Sequence, residues 1–198
     1  MDIVAVVGNP RPASYTRTAA EVVVRLLERE GGDDCSAHVI ELAPLGPELV
    51  GTEPGAAARE ALQRVRRADV LVVASPTYKA TYTGLLKLFL DALPGGALSG
   101  VDALPVLVMA SPAHSMAVDA HLRPVLVELG AHVPTPGLVL LEQQVHRIDD
   151  LVDDWVTQVA GQLDRHTDAA PSVRRRTRQE TIGFPGHGSP GGRGSGLC

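Results

Sequence analysis

A doubly wound α/β fold on a five-stranded parallel sheet is the architecture this sequence predicts. Strand-like apolar runs alternate with helix-periodic segments five times, joined by short connections, as stacked βαβ units require. The central runs are apolar without polar alternation, as parallel strands covered on both faces are. Right-handed crossovers with a switch point near the first strand then give the strand order 2-1-3-4-5.

The elements follow in order. Ile3–Val7 is the first strand, ended by Gly8-Asn9-Pro10-Arg11-Pro12. A helix follows with Ala20, Val23, Val24 and Leu27 on one face; Ser14 and Thr16 are both candidate N-caps, and Gly31-Gly32 stops it. His38–Leu42 is a second strand, and Pro44 to Gly55 reads as an irregular Pro/Gly-rich connection. Ala56–Arg67 forms a helix that turns Ala58, Ala61, Leu62 and Val65 inward. The third strand starts at Val70 and stops at Ser75-Pro76, where proline offers no N–H to the ladder. Gly84 then leads into the helical pattern Leu85, Leu86, Leu88, Phe89, Ala92, Leu93.

Val106–Ala110 is the fourth strand, and Ser111–Ser115 its loop. A helix over about Val118–Leu129 contains Pro124, which predicts a kink or an irregular turn. His132-Val133 and Gly137–Leu141 make a fifth strand broken by Pro134 and Pro136. Asp149–Leu163 closes the fold as a helix with Leu151, Trp155, Val159 and Leu163 inward. This is the flavodoxin-like α/β sandwich of three layers.

The chain has 198 residues and 44% hydrophobic content, enough for one ordinary core. Residues 1–168 are the expected domain. Residues 169–198 are expected to form a flexible tail, with the basic stretch Arg174–Arg178 and a Gly/Pro/Ser-rich end. A solvated linker is the plain reading of the arginines, and contact with nucleic acid or an acidic partner the other. The net charge of -5 argues against a dedicated nucleic-acid binder. Cys35 and Cys198 are the only cysteines, so neither a disulfide framework nor a cysteine zinc site is expected. With no signal-type segment and no apolar run of spanning length, the expected place is the cytoplasm, away from membranes. Seven histidines are present, of which His114 and His121 could share a helix face. They lack a third ligand at metal-site spacing, so no metal is expected.

The chemistry concentrates in loops at the carboxyl ends of strands, where open α/β sheets bind ligands. The first loop lacks both Gly-x-Gly-x-x-Gly and the Gly-Lys-Ser/Thr of a P-loop. It offers Asn9, Arg11, Ser14 and Thr16 ahead of a helix N-terminus, a set suited to a phosphate monoester. The plainer reading is a capped helix after a turn, with Arg11 solvated. The second loop carries two of the three tyrosines, Tyr78 and Tyr82, for packing on a flat ring. Thr77, Thr81 and Thr83 are candidates for its polar edge, and Lys79 for favouring negative charge there. Against this stands a reading of both tyrosines as half-buried packing residues. The third loop, Ala110 to His114, borders the same crevice.

These residues resemble a known family. Gly8-Asn9-Pro10-Arg11 with Ser14 and Thr16 is similar to the phosphate loop of NAD(P)H-dependent FMN reductases. Ser75-Pro76-Thr77-Tyr78-Lys79-Ala80-Thr81-Tyr82-Thr83-Gly84-Leu85-Leu86-Lys87 looks almost word for word like their flavin-ring loop. Ala113-His114 through Asp119 and Leu122–Leu126 resembles the group that feeds reduced flavin to alkanesulfonate-type two-component monooxygenases. The likeness spans about Met1 to Leu163. It departs at Asn9, at Ala110-Ser111-Pro112 and at Ala120.

The resemblance implies FMN and NADPH or NADH as cofactors, and hydride transfer from NAD(P)H to FMN. FMN-binding residues would be Asn9, Arg11, Ser14, Thr16, Pro76, Thr77, Tyr78, Lys79, Tyr82, Thr83, Ser111 and His114. No residue is singled out as a catalytic acid or base; Lys79 is the candidate stabiliser of the anionic reduced flavin. A flavin-dependent monooxygenase is the implied partner, and a homodimer or homotetramer the expected assembly. One alternative is an enzyme of this fold that keeps FMN and reduces quinones or azo compounds. Another is a non-catalytic flavodoxin-like module that works through protein contacts.

Overall fold

The structure, a computed structural model, describes residues 1–169. The expected tail, past its first residue, lies outside the described residues, and so do the Arg174–Arg178 stretch and Cys198. Five strands, β1 (Asp2–Val7), β2 (Ser36–Glu41), β3 (Val70–Pro76), β4 (Asp102–Met109) and β5 (Leu138–Leu141), form one sheet in the order β2-β1-β3-β4-β5. Every pairing is parallel. The flavodoxin-like fold read from the sequence is the one observed.

Alternation along the strands splits the core in two. Ile3, Ala5, Val7, Val72, Ala74 and Val106 point to the face covered by α1 (Tyr15–Gly31) and α6 (Ile148–Ala169). Val4, Val6, Leu71, Val73, Leu107 and Met109 point to the opposite face. There they meet α3 (Ala56–Arg67), α4 (Gly84–Asp91) and α5 (Arg123–Glu128). Between β2 and α3 lies one short helix that the Pro/Gly composition hides, α2 (Gly46–Leu49), with Pro47 in its first turn. Proline there supplies a fixed φ and lacks only an N–H that a first turn cannot use.

Both central strands include a proline. Pro76 is the last residue of β3, in register with Val108, where the sequence places the strand's end. Thr77 still donates to the Val108 carbonyl at 2.9 Å, so the N–H missing at Pro76 faces away from β4. Pro105 sits inside β4, which therefore starts at Asp102 rather than at Val106. Its neighbour of the same parity, Ala103, donates to His132. The N–H missing at Pro105 thus points to the β5 side, where pairing begins only at Val106. Both prolines stand where the ladder has no donor to lose.

The expected helix around Pro124 divides. A wide π-type turn covers Val118–Leu122, closed by the Arg123 N–H on the Val118 carbonyl, and α5 then carries Pro124 in its first turn. Adding one residue to the turn accommodates the lost N–H. β5 keeps only Leu138–Leu141, and His132 survives as a single bridge to Asp102. In α6 the buried stripe is Ile148, Val152, Val156, Val159 and Leu163. Leu151 is exposed and Trp155 half-buried, its indole N–H donated to the Pro136 carbonyl at 3.2 Å. The inward face is therefore one residue out of phase with the expected Leu151–Trp155 edge.

Candidate functional site

Three loops converge at the carboxyl edge of β1, β3 and β4. The first leaves β1 at Gly8, whose N–H goes to the Ala74 carbonyl of β3 at 2.8 Å. Asn9 is buried, and its amide serves the loop: Oδ1 accepts the Arg11 N–H at 2.9 Å, and Nδ2 donates to Thr16 Oγ1 at 3.3 Å. Ser14, not Thr16, is the N-cap of α1, its hydroxyl oxygen accepting the Arg17 N–H at 3.3 Å. That bond leaves the Ser14 hydroxyl hydrogen to donate. Helix geometry also leaves the first-turn amides of α1 without carbonyl partners inside the helix. Arg11 is exposed beside them. A hydroxyl donor, helix amides and a cation together suit a dianionic phosphate.

Glu41, and its pairing with Arg17 at the end of this loop, were not legible in the sequence. Glu41 ends β2 in register with Val7, which brings it against the loop from the neighbouring strand. Its Oε1 accepts the Ala13 N–H at 3.3 Å, and its Oε2 the Arg17 guanidinium at 3.1 Å. Arg17 Nε also reaches Glu21 at 2.7 Å. The Glu21 hydrogen bond, with the charges of Glu21 and Glu41, holds the Arg17 guanidinium above its ordinary range.

The second loop is a tight hairpin. Tyr78 and Thr81 exchange backbone hydrogen bonds of 2.8 and 3.3 Å, leaving Lys79 and Ala80 as the two turn residues, with φ of 53° and 65°. Positive φ at both central positions is the primed-turn geometry that Asn-Gly usually supplies. Here Lys-Ala adopts it, at a steric cost. Tyr78 is 41% exposed beside the exposed tip at Lys79. Tyr82 packs against the core under α4, and burial raises its phenol above the ordinary range, with Lys87 opposing and Asp91 assisting. The two tyrosines therefore occupy different environments.

Thr83 is spent within the protein. It is buried, caps α4 by accepting the Leu86 N–H at 3.1 Å, and donates its hydroxyl to the Gly8 carbonyl. Ser75, which the sequence did not single out, accepts the Thr83 N–H at 3.1 Å and donates to the Pro76 carbonyl at 2.9 Å. The third loop is a short 3-10 turn, Pro112–His114, capped by Ser111, which accepts the Ala113 N–H at 3.3 Å.

Among the described residues, Thr77 Oγ1 and His114 Nδ1 are buried without a hydrogen-bond partner, as is Thr135 Oγ1 elsewhere. Buried polar atoms of native proteins are nearly always paired. Two orphans in the loops that follow adjacent strands, at the same sheet edge as a phosphate-suited helix terminus, fit a flat heteroaromatic ring with polar edges carried on a phosphorylated chain. FMN has this shape. The fold and the site thus define a flavodoxin-like flavin oxidoreductase.

Comparison with known proteins gives the family. Residues 1–146 match the model of the NADPH-dependent FMN reductases, and the chain belongs to that family. It is 34% identical to an FMN reductase (NADPH) of Escherichia coli over 73% of this chain and 75% of that protein. It is 31% identical to the NADH-dependent FMN reductase SfnF of Pseudomonas putida, over 69% and 75% of the two chains. Among solved structures, an NADH:FMN oxidoreductase in its apo form superposes with a TM-score of 0.72 at 36% identity. That match covers 88% of this chain and 93% of the other. The protein is accordingly an NAD(P)H:FMN oxidoreductase, with FMN and a nicotinamide nucleotide as its cofactors.

Proposed function

We propose that this enzyme reduces FMN as a diffusible substrate and delivers the reduced flavin to a partner monooxygenase. The observation that carries the reading is the pair of orphaned atoms, Thr77 Oγ1 and His114 Nδ1, taken as partners for the polar edge of the flavin ring. In this reading Ser14, Arg11 and the first-turn amides of α1 hold the phosphate, while Asn9 and Thr16 keep the loop in shape. Pro76, Tyr78, Tyr82 and Ser111 would line the ring, while Thr83 holds the first and second loops together from within. Lys79 supplies positive charge from the hairpin tip. The chemistry that the flavin supplies is acceptance of a hydride from NAD(P)H and onward delivery of two electrons. The chain's own residues bind, orient and tune it.

A flavin that must leave needs an open site. Tyr78, Lys79 and Ala80 are exposed on the rim, which suits exchange better than burial. Relatives named NADH-dependent FMN reductases, SfnF and SfnE, favour flavin as substrate. Exposed Leu88 on α4, with Met116 before α5 and Val127 on it, supports a homodimer or homotetramer. No helix among the described residues is long and apolar enough to cross a membrane, and the cytoplasm is the proposed location. Residues 1–168 are proposed to suffice, so truncation after Ala170 is expected to keep full activity.

The deciding experiment follows NADPH and NADH oxidation by purified protein at FMN concentrations rising from zero. A colourless preparation whose rate saturates with added FMN, and which supports a flavin-dependent monooxygenase in a coupled assay, is the expected result. A yellow protein indifferent to added FMN but driven by quinones or azo dyes would overturn it.

A further inference from the structure

We propose that Glu41 is a positioning residue of the phosphate loop, setting affinity for the phosphorylated flavin by fixing the left-handed turn at Ala13. The inference rests on the reading of that loop as the FMN phosphate site. It starts from the backbone. Ala13 has φ of 51°, a conformation that an L side chain resists and that persists only where the surroundings enforce it. The loop itself supplies little enforcement. Pro10 and Pro12 have no N–H, and Arg11 spends its own on Asn9 Oδ1 at 2.9 Å.

The Ala13 N–H is the one the neighbouring strand can reach, and Glu41 Oε1 accepts it at 3.3 Å. Fixing this peptide fixes the direction in which the chain enters α1 at Ser14, where the phosphate donors begin. Parallel pairing of β2 with β1 puts Glu41 opposite Val7, the last strand residue before the loop. The carboxylate is thus held from the sheet and not from the loop it braces.

A bare carboxylate here would oppose a phosphate. Arg17 removes the conflict by binding Glu41 Oε2 at 3.1 Å, and is itself paired with Glu21 at 2.7 Å. These side chains are partly exposed, and ion pairs of that kind add little to global stability. Local geometry is what they serve. Arg17 is also drawn toward β2, leaving Arg11 as the loop's cation for the ligand.

The test is dissociation constants for FMN and for riboflavin, measured by flavin-fluorescence quenching on the full chain, for wild type and for Glu41→Ala, Glu41→Gln and Glu41→Asp. Riboflavin lacks the phosphate, so a phosphate-loop defect spares it, whereas a general loss of structure does not. Glu41→Ala is expected to weaken FMN on the order of tenfold, equivalent to one charge-assisted hydrogen bond, and to leave riboflavin unmoved. Glu41→Gln keeps an acceptor for Ala13 and is expected to recover most of the loss. Should Glu41→Ala fail to fold, Glu41→Asp carries the same expectation, because it keeps the charge but withdraws the carboxylate by one methylene. Equal weakening of both flavins, or none in either, would overturn the proposal. A wild-type protein that binds FMN no better than riboflavin would instead sink the phosphate-loop reading beneath it.

Discussion

Thr83 donates its hydroxyl hydrogen to the carbonyl of Gly8, 75 positions earlier in the chain. The same oxygen accepts the Leu86 N–H at 3.1 Å and caps α4. Gly8 in turn gives its N–H to Ala74 at 2.8 Å, so one buried hydroxyl joins the first loop, the second loop and the end of β3. Thr83→Val keeps the shape and deletes both bonds. Loss of the cap costs about 1 kcal/mol, and the stranded Gly8 carbonyl about 1 to 2 more. A fall of ~2–3 kcal/mol in unfolding free energy is expected from urea denaturation, together with weaker FMN binding. Thr83→Ser is expected to retain both, and a Thr83→Val protein as stable as wild type would show the link to be incidental.

Gly8 carries a second demand. A Cβ built there would lie 2.7 Å from Leu86 Cβ and 3.4 Å from the Ala74 carbonyl oxygen. Cβ of Leu86 is tied to the α4 backbone and cannot swing aside, so Gly8→Ala must move α4 away from the first loop. Overpacking of this kind costs about 1 to 3 kcal/mol. A lowered melting temperature with a raised FMN dissociation constant is the expected pair of results. Unchanged values for both would mean the two loops are less rigidly joined than their contacts imply.

The uninterrupted apolar strands and the loops after them were legible because burial on both faces writes itself into composition. Edges and braces were not. Pro76 and Pro105 look like strand breakers, yet each lacks only an N–H at a point where the strand on that side is not paired, which depends on where β1 ends and where β5 begins. Asn9, Thr16 and Thr83 read equally well as ligand donors and as scaffold, since residue type does not say where a hydrogen bond goes. Their partners within the protein decide it. Glu41 was invisible because its relation to Ala13 runs through sheet pairing across 28 positions. In α6, Leu151 looked like core, and the neighbouring valines took that place because the helix meets β5 and α1 one residue out of phase.

Lys79 sits at the exposed tip of the hairpin with φ of 53°. Lys79→Ala keeps a Cβ there, and so keeps the turn's steric demand while removing the charge. If the ammonium favours the anionic reduced flavin, flavin reduction should slow and its midpoint potential should fall. An exposed charge acting through solvent is worth only a ~2- to 5-fold effect. Stopped-flow reduction by NADPH or NADH at saturating FMN, with a potential measured on the bound flavin, checks it. Wild-type kinetics and potential in the variant would remove Lys79 from the chemistry.

The neighbouring Ala80, with φ of 65°, offers a test of strain free of charge. Glycine adopts this region without penalty, which recovers about 1 kcal/mol or more, while its freedom in the unfolded chain takes back about 0.4 to 1 kcal/mol. Ala80→Gly is therefore expected to raise stability slightly, by ~0.5 kcal/mol, in urea titration of the apoprotein. A clear loss of stability would mean that the Ala80 methyl makes contacts outweighing its backbone strain.

Tyr82 gives the alkaline side of the stability profile a sign. Burial, the largest cause, and Asp91 raise its phenol above the ordinary value of 10.0, against the pull of Lys87. The folded protein thus holds the phenolic proton to higher pH than the unfolded chain does. The stabilisation is fully present below pH 10 and is lost as pH rises through the folded value. Lys87, raised chiefly by its hydrogen bond to Asp91, loses its own contribution in the same direction. Tyr82→Phe removes only the titrating hydroxyl and keeps the ring, so its stability should fall less steeply between about pH 9 and 11 than that of wild type. Asp91→Asn in addition should flatten the curve further by releasing Lys87. Parallel wild-type and Tyr82→Phe curves in urea midpoints would mean that the phenol reaches water freely and that the ring's packing under α4 is looser than the structure has it.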